Sequence, residues 1–464
     1  MVFSSLPFLF LFLTVVLLVS HLLPFRFRNG FLLLANLVFY AYGEPVYVLI
    51  MIGSILVNFF AGLLMDKQPT QGRRRAVLVV GIVLNLLALG VFKYAGLFAD
   101  TLRGIPAFSS LPAVEIALPI GISFYTFQAV SYLIDVYWDD CEASHSFVNF
   151  ACYISLFPQL IAGPIVRYRD VNDQLVHRRE TPTLFNSGVR LFVVGMAKRV
   201  LLANQFGMLW DAMSADPVAA GAIGAWAGAC AYTLQIYFDF AGYSDMARGL
   251  GRMLGFEFCI NFNYPYISKS VTEFWRRWHI SLSTWFREYL YIPLGGNRCS
   301  KPRWMFNLLV VWAATGIWHG ASWNYLIWGL YFFVLLMVEK FFLLDRLNRA
   351  PAAVGHIYTM FFVLVSWAIF AIEDAGHLAG YLRVMFGLGG VPLADSAFGY
   401  YLTSYLPILC IAGLASTPLG ASLYRRLKPR AAQAVCAILV LASLVVCTAY
   451  LVDGTYNPFL YFRF

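Results

Sequence analysis

The chain has 464 residues, of which 60% are hydrophobic, 17% aromatic and 12% charged. A soluble domain is about 45–50% apolar and about 25% charged, so this composition excludes a soluble globular protein and predicts an integral membrane protein. The formal net charge of +9 does not indicate nucleic-acid binding, because the basic residues lie in short loops between apolar runs.

Apolar runs long enough to form spanning helices recur from one end of the chain to the other. At roughly 20 residues for each span, we predict about 11 spanning helices in one all-α membrane domain over residues 1–464. The runs that indicate them are Leu6–Leu23, Val46–Met65, Val77–Ala99, Ile116–Tyr137, Leu191–Trp210, Ala219–Phe240, Tyr325–Leu344, Tyr358–Ile372, Tyr400–Ala415 and Ala431–Val452. Four shorter runs are predicted to be tilted, re-entrant or interfacial: Phe31–Tyr42, Val148–Ile161, Met305–Trp318 and Ala379–Leu388.

Basic and acidic turns alternate along the chain in the positive-inside pattern. This pattern predicts a multi-pass membrane protein with both termini outside. The longest polar region, Gly242–Arg303, has nine Lys and Arg against four Asp and Glu, and we expect it to be cytoplasmic. The eight cysteines are scattered without a C-x-x-C pair, so no metal site is predicted.

The segment Ser268–Leu290 is predicted to be one helix that lies in the membrane interface. Ser270 and Glu273 have the spacing of a capping box at its start. Large apolar side chains then follow the spacing of one helical face: Val271, Phe274, Trp275, Trp278, Leu282, Trp285, Phe286 and Tyr289. His279 falls at the edge of this apolar face. It is either a candidate catalytic residue or an interfacial side chain that contacts a lipid headgroup or a nearby carboxylate.

His319 is the sharpest candidate for chemistry, because polar groups inside membrane segments are costly and are functional candidates by default. It follows the 14-residue apolar run Met305–Trp318, which is too short to span, and a second apolar run begins soon after it. We therefore expect the imidazole at depth between two helices. A buried neutral imidazole can act as a general base toward a hydroxyl group. The alternative is a structural histidine whose N–H donates a hydrogen bond to a neighbouring backbone carbonyl.

Two carboxylates, Asp239 and Asp245, lie with Ser244 at the end of an apolar run. They are six residues apart and do not share a helical face, so they are not an evident acid–base pair. The structural alternative is an ion pair with one of the arginines Arg248, Arg276 or Arg277.

Two further features concern the binding of a negatively charged group. Positive charge is concentrated at Arg276, Arg277, Arg287 and Arg298, and it is predicted to attract an anionic donor. The alternative is a cytoplasmic loop that contacts anionic lipid. Asn324 is a candidate hydrogen-bond donor to an oxyanion.

Two long motifs, Phe274–Ser283 and Arg287–Arg298, resemble the membrane-bound O-acyltransferase family. They are most similar to the bacterial branch that contains the membrane subunit of alginate O-acetyltransferase. Further matching blocks are Leu118–Tyr125, Phe157–Pro164, Tyr237–Asp245, Trp318–Ala321 and Tyr456–Phe462. The similarity therefore extends over most of the chain.

The resemblance implies a central acyl-transfer tunnel through the membrane domain. His319 corresponds to the essential histidine of the family, and His279 occupies the second histidine position. The implied donor is cytoplasmic acetyl-CoA, with no permanently bound cofactor, and the implied location is the bacterial inner membrane. We expect the phosphates of the donor near Arg276, Arg277 and Arg298. The implied partners are a periplasmic acetyltransferase of the SGNH-hydrolase type, a polysaccharide synthase or export complex, and membrane lipid.

The resemblance leaves the acceptor open. The chain ends at Phe464, earlier than is expected of an alginate-modifying member, so cellulose or another exopolysaccharide is an alternative to alginate. Peptidoglycan acetylation and D-alanyl transfer to teichoic acid are further alternatives within the family. An exporter of an acylated intermediate is the alternative outside enzymes, although the halves of the chain show no matched broken helices.

Overall fold

The computed structural model describes residues 2–114, 116–394, 398–454 and 460. Within these ranges every regular element is helical and no strand is present, as the composition predicts. The chain divides into two compact units, residues 1–192 with 243–259 and residues 193–242 with 260–464. The single domain over the whole chain stays a prediction, and the matching block Tyr456–Phe462 lies outside the described residues except for Leu460.

The first unit is built from helices in the first 200 residues. After a π-helical turn at Pro7–Phe12 they are α1 Leu13–Leu22, α2 Phe25–Gly43, α3 Val48–Asp66, α4 Gln71–Arg103, α5 Ile122–Tyr137, α6 Phe147–Ser155, α7 Phe157–Leu160, α8 Tyr168–His177 and α9 Pro182–Ala197. The predicted re-entrant run Val148–Ile161 forms α6 and α7, which are nine and four residues long and meet at Leu156. Neither is long enough to cross a bilayer.

The second unit holds most of the remaining helices and the end of α9 from residue 193, whereas the part of Pro217–Met253 from residue 243 onward belongs to the first unit. The remaining helices are α10 Asn204–Ser214, α11 Pro217–Met253, α12 Val271–Arg277, α13 Ile280–Phe286, α14 Lys301–His319, α15 Trp323–Val338, α16 Leu344–Arg349, α17 Ala352–Ala371, α18 Ala375–Met385, α19 Phe398–Ala415, α20 Leu419–Arg425 and α21 Pro429–Asp453. Three π-helical turns add Lys198–Ala203, Arg287–Tyr291 and Glu339–Leu343.

Seven of the described helices are long and apolar enough to cross a membrane. They are α3, α4, α11, α17, α19, α21 and the continuous stretch Trp323–Arg349, and Pro7–Leu22 is a shorter apolar helix. The protein is therefore a multi-pass membrane protein. The estimate of about 11 spans from a length of roughly 20 residues each stays a prediction.

The predicted single helix over Ser268–Leu290 is wrong, because the chain breaks at Trp278 and His279. His279 has a φ of +44°, in the left-handed region that ends a helix. The distant residue Asn261 enforces the break: its backbone carbonyl accepts from Ile280 at 2.9 Å and its side-chain oxygen accepts from the Ser281 backbone at 3.2 Å. The periodicity of the sequence contains no signal for this contact.

Helices α14 and α15 form an antiparallel pair that brings two backbones into close contact. A Cβ atom at Gly316 would lie 2.4 Å from the Tyr325 carbonyl oxygen, and one at Gly329 would lie 2.4 Å from the Trp312 carbonyl oxygen. Small residues allow this approach between membrane helices. The pair fixes the position of His319, the last residue of α14.

We predict that Gly329→Ala destabilises the protein, because its methyl group has no space beside the Trp312 carbonyl. Overpacking of this kind costs about 1–3 kcal/mol in the free energy of unfolding. The measurement is the thermal unfolding midpoint in detergent. Gly90→Ala in α4 is the matched control, since no atom lies within 4 Å of its added Cβ, and equal midpoints for the two variants would contradict the close packing.

Candidate active site

His319 lies in an aromatic enclosure at the end of α14. Its imidazole is 6% exposed, and three rings pack nearly perpendicular to it, from Trp318, Trp328 and Phe370, with centroid distances of 5.1, 5.1 and 5.3 Å. The next residue, Gly320, is extended and ends the helix. The structure therefore places this imidazole in a buried apolar setting, as the sequence predicts.

Tyr325 connects this enclosure with an exposed carboxylate. The ring packs on Phe370 at 5.0 Å and directly against Gly320, where a Cβ atom would lie 2.1 Å from the ring. The Tyr325 hydroxyl donates to Glu373 Oε1 at 3.2 Å, and Glu373 is exposed at the end of α17. This contact defines one end of the His319 enclosure.

Asn324, the candidate oxyanion donor, has its amide engaged elsewhere. The side-chain Nδ2 donates to the carbonyl oxygens of Ile369 at 3.3 Å and Phe370 at 3.1 Å. These are among the last carbonyls of α17, which lack partners within the helix. The contact makes Asn324 a cap that holds α17 beside His319, and it leaves the oxyanion donor to another group.

His279 is fully buried at the break between α12 and α13. Its Nδ1 accepts from the Leu282 backbone N–H at 3.4 Å, so this histidine caps α13. Because Nδ1 acts as the acceptor, the neutral imidazole carries its proton on Nε2. Among the residues that the structure describes, Nε2 is buried and has no hydrogen-bond partner.

The environment of His279 keeps it neutral. Its ring packs against Phe240 at 4.6 Å and Trp318 at 6.1 Å, and burial lowers the pKa of His279 to about 3. Trp318 also contacts His319, so one indole ring lies between the two histidines. The structure thus brings together the two histidines that the sequence singled out.

A cavity of about 750 Å³ is lined by residues of α12, α13 and α14, with a basic rim and an aromatic wall. Four exposed cations line it: Arg276, Arg287, Arg298 and Lys340. The wall includes Trp275 and Trp312, and Trp275 packs on Trp328 at 5.6 Å. Because Trp328 contacts His319 at 5.1 Å, a single ring connects the cavity wall to the buried imidazole. The volume lies in the range of small-molecule and cofactor sites.

Arg277 does not line the cavity, although the sequence grouped it with Arg276. Its guanidinium pairs with the Glu273 carboxylate at 2.8 Å and donates to the Asn263 carbonyl at 3.1 Å. The cations that line the cavity are therefore Arg276, Arg287, Arg298 and Lys340. Lys340 was not among the predicted residues, and Arg277 was predicted but does not line the cavity. A sequence search misses Lys340 because it is 64 residues away from Arg276 along the chain.

Glu339 positions α12 and was not singled out in the sequence. Its carboxylate is fully buried and accepts from the backbone N–H groups of Val271 at 2.6 Å and Thr272 at 2.8 Å, and from the Thr272 hydroxyl at 2.7 Å. These are first-turn donors that α12 itself cannot satisfy, and a negative charge there is favoured by the helix dipole. The available signal was a glutamate inside an apolar run.

One of the two hydrogen bonds of the predicted capping box is present, and the other goes to a different residue. Ser270 Oγ accepts from the Glu273 backbone N–H at 3.0 Å, whereas the Glu273 carboxylate accepts from Lys269 N at 2.9 Å. Gly296 lines the cavity in a turn, and Asn307 Nδ2 donates to the Gly296 carbonyl at 3.1 Å.

The carboxylates of the run Tyr237–Asp245 have structural partners. Asp239 is buried, lies 3.6 Å from the Arg199 guanidinium and accepts from the Leu460 backbone N–H at 3.0 Å. In the other unit, Asp245 pairs with Arg248 at 3.4 Å, as one of the predicted alternatives has it, and Ser244 is buried. Neither carboxylate lines the basic cavity.

Comparison with known proteins shows the family of the chain. The model of the membrane-bound O-acyltransferase family matches residues 141–373. The probable alginate O-acetylase AlgI of Pseudomonas aeruginosa is 44% identical over 401 residues, 85% of this chain and 76% of that protein. The protein of the same name in Pseudomonas putida is 38% identical over 488 residues, 100% of both chains. A peptidoglycan O-acetyltransferase of Helicobacter pylori is 33% identical over 435 residues, 85% of this chain and 81% of that protein.

We predict that the buried neutral state of His279 makes the protein less stable in acid. The folded-state pKa of about 3 lies below the ordinary value of 6.5, so the unfolded chain binds one proton more as the pH falls below 6.5. This difference removes roughly 2 kcal/mol of stability between pH 6.5 and pH 5.

His279→Asn tests this prediction, because asparagine also tolerates the left-handed backbone and caps helices without titrating. Chemical unfolding in detergent at pH 7 and pH 5 is compared for the wild type, this variant and the exposed control His145→Asn. We expect only His279→Asn to lose less stability in acid. The same acid loss in all three proteins would contradict the assignment.

Proposed function

The chain belongs to the membrane-bound O-acyltransferase family and is a membrane O-acetyltransferase, and on that premise we propose that it moves an acetyl group from cytoplasmic acetyl-CoA to an exopolysaccharide outside the inner membrane. The observation that carries the proposal is the basic cavity whose wall residue Trp275 packs on Trp328, the ring that contacts His319. The names and coverage of the two alginate O-acetylase relatives support alginate as the acceptor.

The donor enters the basic cavity with its phosphates toward the cationic rim. Arginine and lysine hold phosphate groups by charge and hydrogen bonds, and arginine does so bidentately. Arg276, Arg298 and Lys340 come from three different elements around the opening. The aromatic wall formed by Trp275 and Trp312 packs against the thioester arm and directs it inward, toward the histidines.

His319 acts as the general base in the transfer. It removes the proton from the acceptor hydroxyl, and the hydroxyl oxygen attacks the acetyl carbonyl carbon of the thioester. The carbon–sulfur bond breaks, the acetyl ester forms, and the departing CoA thiolate takes up the proton. Help of this kind contributes about 10²–10⁴-fold to the rate.

His279 supplies the hydrogen bond to the acetyl oxygen. Its Nδ1 is committed to the cap of α13, which directs the proton to Nε2. A fixed N–H in a dry site stabilises the negative charge that develops on the oxygen without reorganising. This role replaces the amide of Asn324, which caps α17.

The acceptor approaches from the end marked by Tyr325 and Glu373. A periplasmic acetyltransferase of the SGNH-hydrolase type receives the acetyl group there and passes it to the polymer, and a polysaccharide synthase or export complex supplies that polymer. Peptidoglycan is the second candidate acceptor, because the Helicobacter pylori peptidoglycan O-acetyltransferase matches 85% of the chain. Transfer of label to purified alginate or to peptidoglycan, with the partner present, distinguishes the two.

We predict that His319→Ala lowers acetyl transfer by about 10²–10⁴-fold, since it removes the general base. Purified protein in nanodiscs is incubated with radiolabelled acetyl-CoA and a periplasmic partner, and CoA release and labelled acceptor are followed. His145→Ala, which is exposed, is the control. A folded His319→Ala protein that transfers acetyl at the wild-type rate would contradict the mechanism.

We predict that two adjacent arginines differ in their effect on donor binding. Arg276→Ala should raise KM for acetyl-CoA about tenfold, the effect of one charged hydrogen bond, and leave kcat little changed. Arg277→Ala should leave KM for acetyl-CoA within about twofold, because its guanidinium is paired with Glu273 outside the cavity. Equal increases in KM for both variants would place the donor elsewhere.

A further inference from the structure

A second cavity of about 530 Å³ lies in the second unit among α11, α17 and α19. All three helices are long and apolar enough to cross a membrane. The wall is almost wholly apolar, with Leu234, Met360 and Leu364 representing α11 and α17. Only 6% of the apolar window of α19 is buried within the protein. The cavity is therefore an apolar groove beside a helix that makes few contacts with the rest of the protein.

Polar groups are concentrated at one end of this groove. Lys269 and His356 lie there beside the start of α17, and Ser416 and Thr417 follow the end of α19. The Ser416 side chain is 7% exposed, and in the described part of the chain its hydroxyl has no hydrogen-bond partner. A buried hydroxyl without a partner is costly. A ligand with a polar group at this end of the groove removes that cost by a hydrogen bond to Ser416.

Basic residues lie close to the polar end along the chain. Arg346 and Arg349 come just before α17. After Thr417, α20 ends at Arg425, Arg426 and Lys428 lie in the following loop, and Arg430 lies in the first turn of α21. Positive charge at the end of membrane helices attracts the phosphates of anionic lipids, at about 1 kcal/mol for each nearby Lys or Arg. The charge therefore complements a phosphate, and the apolar wall complements an acyl chain.

We propose that this groove binds one anionic phospholipid from the leaflet beside these basic residues. One acyl chain fills the space between α17 and α19, and the headgroup phosphate accepts hydrogen bonds from Lys269 and the Ser416 hydroxyl. The site is separate from the donor cavity: no residue lines both. The inference goes beyond the acyl transfer and does not depend on it.

The groove is connected to the arm that carries His279. Tyr266 lines the groove, donates from its hydroxyl to the Thr233 carbonyl at 2.6 Å, and packs against Phe274 and Trp278 at 6.2 and 6.1 Å. Phe274 lies in α12, and Trp278 precedes His279 directly. A lipid in the groove supports the outer side of this aromatic cluster.

Two glycines of α19 provide a matched test. Gly413 lines the groove and Gly399 does not, and neither has an atom within 4 Å of an added Cβ. In Gly413→Leu the new side chain occupies the space of the acyl chain, whereas Gly399→Leu leaves the groove unchanged. Both proteins are checked by size-exclusion chromatography and thermal unfolding before binding is measured.

Native mass spectrometry of delipidated protein in detergent measures the binding. Each protein is titrated with phosphatidylglycerol, with phosphatidylethanolamine of the same acyl chains, and with glycerol phosphate. The wild type and Gly399→Leu are expected to retain one phosphatidylglycerol in preference to phosphatidylethanolamine, and Gly413→Leu is expected to lose this adduct. Glycerol phosphate, which lacks acyl chains, is expected not to be retained.

Lys269→Gln is a second variant at the exposed end of the groove, where folding is not at risk. Loss of this charge is expected to reduce the preference for phosphatidylglycerol about fivefold, whereas the exposed control Lys301→Gln should retain the preference. Three results would overturn the proposal: an undiminished adduct in Gly413→Leu, equal retention of the two lipids by the wild type, or retention of glycerol phosphate in place of lipid.

Discussion

The carboxylate of Glu339 satisfies the first backbone N–H groups of α12, and the position of α12 and of His279 after it depends on this contact. Helix α12 is seven residues long and its start is buried, so it cannot obtain its missing partners from water. Glu339 is followed directly by Lys340, which lines the basic cavity. The same short stretch of chain therefore holds α12 in place and adds a charge to the rim that Arg276 forms.

Local contacts also place His279 and His319 in different settings, and these settings suit the different roles proposed for them. His279 is held by its backbone break and by its Nδ1 contact with Leu282, which fixes the tautomer and leaves Nε2–H as a donor. His319 lies at the end of a helix, in an enclosure of three aromatic rings. In the proposed reaction one imidazole donates a hydrogen bond and the other accepts a proton. The difference between them comes from the elements that carry them.

Much of this arrangement follows from the sequence. The composition established the membrane class, the motifs established the family, and the isolated polar residue after a short apolar run identified His319. Prediction from the sequence was wrong or incomplete where segments that are distant along the chain come into contact. Asn261 breaks the predicted helix at His279, and Glu339 caps α12 from 68 residues away along the chain. Helical periodicity describes one helix by itself, so it grouped Arg277 with Arg276, whereas the pairing with Glu273 turns Arg277 away from the cavity.

The most direct test of the account is the position of the acetyl group in the bound donor. An acetyl-CoA analogue with a photoreactive diazirine in its acyl group is bound to the protein in nanodiscs, irradiated, and mapped by peptide mass spectrometry. We expect labels on the aromatic residues between the cavity and His319, which are Trp275, Trp312 and Trp328. These labels are expected to disappear when acetyl-CoA competes. Competable labelling confined to α17 and α19, or labelling that acetyl-CoA does not reduce, would contradict this expectation.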